Sequence, residues 1–129
     1  MAKTVAQKLL VSEGDALSLV GAGPEERAAI GALPDGVTEV APEAAAVSVT
    51  IVRSRDELLA QFETALPALT GARAVWFLYP KGGRADLNRD TIIREAGAFG
   101  WRPIGNVAVD DVWSAVRVRP LADGEAPVG

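Results

Sequence analysis

Cysteine and histidine are both absent from this chain of 129 residues. Their absence bounds its chemistry more tightly than any residue present. Without cysteine there is no disulfide, thiolate nucleophile, cysteine zinc site or iron–sulfur cluster. Without histidine there is no Ser-His-Asp triad, imidazole general base or histidine metal cage. Any catalysis falls to carboxylates, hydroxyls, Lys81 or the single tyrosine, Tyr79, and a metal could be held only by oxygen ligands. Lysine is scarce as well, with Lys3, Lys8 and Lys81 the only ones among 13 cationic residues. The net charge of −4, with no basic stripe outside one loop, argues against nucleic-acid partners, whose phosphates need clustered Lys and Arg. No apolar run approaches the roughly 20 residues that span a bilayer, and the start of the chain has no signal-peptide apolar region. The expectation is a cytoplasmic protein without a membrane partner.

What is present fits one globular domain. Hydrophobic residues make up 49% and charged residues 23%, and a chain of this length can bury roughly two-thirds of its unfolded surface. Apolar runs alternate with amphipathic stretches, the pattern of βαβ units around a mostly parallel sheet. Thr4 caps a short helix reaching Leu10, and Ala16 to Val20 is a first strand running into Gly21-Ala22-Gly23-Pro24. A helix from Pro24 to Leu33, short strands at Val37 to Val40 and Ala46 to Val52, and a loop at Ala41 to Glu43 follow. Ser54 and Glu57 form a capping box before a helix that buries Leu58, Leu59, Phe62, Ala65 and Leu66. The strand Ala74 to Leu78 is apolar on both faces and therefore central. A helix from Leu87 to Phe99, ended by Gly100, buries Ile92, Ile93, Ala96 and Phe99. Pro103 to Val109 and Val112 to Val118 flank Asp110-Asp111 as a hairpin, with one antiparallel strand closing the sheet. This order implies a single α/β domain over residues 1–120, a shortened, three-layer Rossmann-like fold of the class I methyltransferase type, and a flexible tail over 121–129.

Two regions are candidate sites. Gly21 and Gly23 lie where a dinucleotide or S-adenosylmethionine turn would be, and Glu39 lies where an acid would meet a ribose. The third glycine of either fingerprint is replaced, by Glu25 or Glu26, and Leu19 stands where methyltransferases often carry an acid. A plain strand-to-helix turn and an exposed Glu39 account for the same residues. The second region runs from Trp76 to Asp90. Tyr79, Lys81, Gly82, Gly83, Arg84, Asp86, Asn88 and Arg89 could together hold a phosphate or carboxylate at a loop leading into a helix. Equally, Asp86 or Asn88 is a helix cap, the glycines are a turn, and the cations pair with Asp86 and Asp90. Trp76 and Trp113 suit either the core or an aromatic wall for a ligand, and Trp101 suits the edge of the core or a contact surface.

Tyr79-Pro80-Lys81, Asp86-Leu87-Asn88-Arg89-Asp90 and Asp110-Asp111-Val112-Trp113-Ser114-Ala115 followed by Arg117 carry a resemblance. With Lys8-Leu9-Leu10, Gly14, the Gly21 turn and Leu33-Pro34-Asp35-Gly36-Val37, they make the chain similar to a family of short bacterial proteins, mainly actinobacterial, of unknown function. The likeness covers about Val5 to Pro120. It implies no catalytic residues, and the family's longer Ser- or Thr-containing loop is here only Gly82-Gly83-Arg84-Ala85. The functional expectation is a non-enzymatic regulatory or interaction module with no cofactor and an unidentified protein partner. The alternative is a binder or transferase that holds S-adenosylmethionine, a nucleotide or another small anionic ligand through residues 81–90.

Overall fold

A computed structural model describes residues 4–81 and 87–126. Six strands form one sheet in the order β2-β1-β3-β4-β6-β5. The strands are β1 (Ala16–Val20), β2 (Thr38–Glu39), β3 (Val47–Ile51), β4 (Ala74–Pro80), β5 (Trp101–Ala108) and β6 (Trp113–Pro120). The first four are mutually parallel, and β6 runs antiparallel to both β4 and β5. The helices are α1 (Val5–Lys8), α2 (Pro24–Ile30), α3 (Arg55–Ala65) and α4 (Arg89–Ala98).

Strand alternation sends successive β4 side chains into two separate cores. Val75, Phe77 and Tyr79 join Leu58 and Phe62 of α3 and Ile92 of α4 on one face. Trp76 and Leu78 join Leu9, Leu17 and Ile30 on the other. Because β4 is buried on both faces it has to be continuously apolar, which is how its sequence reads. Phe62 meets the Phe77 ring edge-on at 4.9 Å. Each fully buried side chain of this size contributes roughly 1.5–3 kcal/mol. The Trp76 indole Nε1–H donates to the Leu9 carbonyl at 2.9 Å, which ties the start of the chain to the central strand.

Several boundaries depart from the sequence reading for identifiable reasons. Thr4 does cap α1, in a full capping box with Gln7, but the helix stops at Lys8 and Leu10 takes a left-handed φ of 66°. α2 ends at Ile30 rather than Leu33 because Gly31, at φ 78°, turns the chain out of the helix. Pro42–Ala44 is a 3-10 turn rather than open loop. Ser54 caps α3 by accepting from the Glu57 N–H, but the Glu57 carboxylate accepts from Arg53 N–H instead of returning to Ser54. Phe99 is 39% exposed, not core, although its ring still touches Phe62 at 5.4 Å.

The hairpin is also arranged differently. Its second strand, β6, is inserted beside β4, and its first strand, β5, forms the sheet edge. β6 carries Trp113, Ala115, Val116 and Val118 into the cores, whereas β5 carries Pro103, Gly105 and an irregularity between them. Proline and a bulge suit an edge and discourage further strand pairing. The tail expected to be mobile is held as far as Glu125, whose carboxylate binds Arg102 and Arg119.

Candidate functional site

The carboxyl ends of the parallel strands meet at the switch point between β1 and β3, where open α/β sheets bind ligands. β1 leaves the sheet at Gly21, whose φ of 77° and close approach to β3 suit glycine. A Cβ there would lie 3.3 Å from the Ile51 carbonyl oxygen. Gly23 caps α2 without a side chain to offer, and its own N–H, like the other first N–H groups of a helix, lacks an intrahelical partner. Glu26 supplies one from three residues on, with Oε1 accepting at 2.6 Å.

Glu26 is only 4% exposed, and a carboxylate so placed needs a counter-charge. Arg53, just beyond the end of β3, reaches it at 2.7 Å. The same guanidinium lies 5.9 Å from the centroid of the Trp113 ring and donates to the Gly21 carbonyl at 3.5 Å. Burial works to raise the Glu26 pKa, but the Gly23 N–H and the Arg53 guanidinium outweigh it and hold the carboxyl below its ordinary value. One cluster therefore joins the β1 turn, α2, the end of β3 and the start of β6. At the next strand end Glu39 is gripped by Arg27 through two parallel bonds of 2.8 Å. That fork lowers the Glu39 pKa and raises that of Arg27.

The second region is divided among separate tasks. The Tyr79 hydroxyl is buried and donates to Asn106 Oδ1 at 3.2 Å, inside the hairpin. Lys81 extends the pairing of β4 with the hairpin: its backbone N–H donates to the Val112 carbonyl at 2.8 Å and its ammonium to the Asp110 carbonyl. The exposed Asp110 carboxylate serves its own turn, accepting from the N–H groups of Val112 and Trp113 at 2.8 Å. Asn88 is the N-cap of α4, with Oδ1 accepting from Thr91 N–H at 2.9 Å and from the Thr91 hydroxyl at 3.1 Å. Arg89 is exposed and lines an open cleft of about 310 Å³ between α4 and β5. Of the eight residues expected to hold an anion, Tyr79, Lys81 and Asn88 thus serve the contacts above and Arg89 is exposed. Gly82, Gly83, Arg84 and Asp86 lie outside the described residues.

Sequence reasoning missed Arg53 and Arg27. For Arg53 a clue existed, since it directly follows a wholly buried strand at the edge where ligands meet such sheets. Trp76 and Trp101 belong to the cores. Trp113 is buried too, yet it also presents its ring to Arg53.

Comparison with solved structures places this architecture among known folds. A protein of the NADB-Rossmann superfamily from Streptococcus agalactiae superposes with a TM-score of 0.54 at 11% identity, over 94% of this chain and 69% of that one. A candidate tRNA (m1A22) methyltransferase from Streptococcus pneumoniae gives a TM-score of 0.52 at 12% identity, over 94% and 71%. The same protein in complex with S-adenosyl-L-methionine gives 0.51 at 13%, over 91% and 70%. No family model and no curated protein sequence matches the chain. At these identities the likeness establishes the fold, a Rossmann-like α/β domain of the methyltransferase type.

Proposed function

We propose that this chain is a non-enzymatic, cytoplasmic regulatory or interaction module, built on a methyltransferase-like sheet whose cofactor crevice is filled by its own side chains. The observation that carries this reading is the Glu26–Arg53 pair at the switch point. An anionic cofactor group at the start of α2 would meet the Gly23 N–H, and Glu26 already takes that one. A ribose would need the acid at the end of β2, and Arg27 already holds Glu39 by both oxygens. The missing third glycine and the lack of histidine and cysteine support the same conclusion.

A second reading, a small-molecule binder or transferase, is favoured by one finding: a solved neighbour of the same fold is in complex with S-adenosyl-L-methionine. Under it a ligand would draw Arg53 and Arg27 away from their acids on entering. Thermal unfolding with S-adenosylmethionine, S-adenosylhomocysteine, ATP and NAD separates the two. The first reading predicts no saturable rise in Tm with any of them. A ligand at a hundredfold excess over its Kd would add about 2.7 kcal/mol, a rise of several degrees, and that result would establish the second reading in place of the first.

A further inference from the structure

Among the described residues, seven of the nine arginines are engaged. Arg27, Arg53, Arg55, Arg73, Arg102 and Arg119 pair with acids, and Arg117 donates to the Arg73 carbonyl. Among the described residues only Arg89 and Arg94 have neither an acidic nor a carbonyl partner. Both are exposed, both stand on α4, and half-buried Ile93 sits between them.

Ile93 is a ridge between two open clefts. On one side, about 310 Å³ is bounded by Arg89, Pro103, Ile104 and Val116, and Arg102 also lines it with its Nε–H buried and unpartnered. On the other, about 440 Å³ is bounded by Asn88, Asp90 and Arg94. The first cleft has an apolar floor, two arginines and no acid in its lining. Ile104, at the irregularity in β5, is 42% exposed on its rim. Two guanidinium groups without acidic partners thus stand beside these clefts on an acidic protein, with the Asp90 carboxylate lining the second.

We propose that the α4–β5 surface around Arg89, Ile93 and Ile104 is a docking groove for an acidic peptide segment of a partner protein, with carboxylates on Arg89 and Arg94 and an aliphatic or aromatic anchor in the first cleft. This rests on the interaction-module reading and names its partner's chemistry. The charges select the acidic side chains: guanidinium groups free of internal partners form paired bonds to carboxylates, and Arg beside an apolar anchor is a common source of interface energy. The form of the surface selects a peptide over a small anion. Two shallow clefts joined by a ridge accommodate an extended or helical segment, while a small ligand takes an enclosing pocket.

The test is selection from a random peptide display library against the full chain, followed by binding titrations and amide NMR mapping of one selected synthetic peptide. Acidic peptides with an apolar anchor should be enriched, and their shifts should centre on residues 89–94 and 102–105. Arg89→Ala with Arg94→Ala should weaken binding about tenfold or more, while Arg27→Ala should leave it unchanged. The proposal is overturned if nothing is enriched, if the enriched peptides are basic or neutral, or if the double variant binds like the parent. Binding of single-stranded RNA at this surface in preference to the peptides would overturn it too. A positive S-adenosylmethionine shift with correctly mapped peptide binding would sink only the non-enzymatic reading, and the reverse pattern only the groove.

Discussion

Glu125 shows at the scale of one residue how arginines fix this protein's charged geometry. Its carboxylate accepts from Arg119, from the Ala122 N–H at 2.9 Å and from Arg102, joining the end of the chain to β5 and β6. The Arg119 bond first, then the Ala122 N–H, pull its pKa down to about 2. A depressed carboxyl contributes its stabilisation fully above its ordinary value of 4.5 and loses it as pH falls through about 2. A side-chain carboxyl NMR titration should therefore give Glu125 a midpoint near 2, and Glu125→Gln should make stability less sensitive to acid over that interval. A midpoint at 4.5 would mean that the two arginines do not hold it. Arg119 and Ala122 are close to Glu125 in sequence, but nothing there announces Arg102, which arrives from the other strand of the hairpin. Glu26 was legible as an acid unsuited to a phosphate turn. Its partner Arg53 was not, since the fold alone brings the end of β3 to the start of α2.

Elements were legible where local chemistry decides them. The Ser54 cap, the Gly100 stop and the continuous apolar run of β4 each report a backbone requirement met within a few residues. The cap of α4 belongs here as well. Two caps were open, and Asn88 holds the position. Asn88→Ala should cost about 1 kcal/mol in urea unfolding, with Asn88→Asp retaining most of the stability. An unchanged midpoint would show that the side chain is not serving the helix. The lateral order of strands was left open. A hairpin in sequence does not say which of its strands meets β4, although Pro103 and Gly105 in β5, against the doubly buried Trp113-to-Val118 pattern of β6, held that information. The end of α2 was overrun because Gly31 was read through, not as a C-terminal stop.

At the scale of the whole molecule, a three-layer sheet of the methyltransferase type brings its strand ends together at a crevice, which in the proposed reading this sequence fills from within. Arg53 closes on Glu26 beneath Trp113, Arg27 closes on Glu39, and Lys81 closes on the hairpin turn. Among the described residues, the two arginines without an acidic or carbonyl partner, Arg89 and Arg94, stand instead on α4. The sequence indicated the strand-end crevice by its glycines and their damaged fingerprint, but not the Arg53–Glu26 pair, whose partners come from different elements. The central claim is met most directly by an amide NMR titration with S-adenosylmethionine. The account predicts that Gly21, Gly23, Glu39 and the Trp113 indole stay unmoved up to millimolar ligand. Saturable shifts at those four positions, with Arg53 released from Glu26, would contradict it.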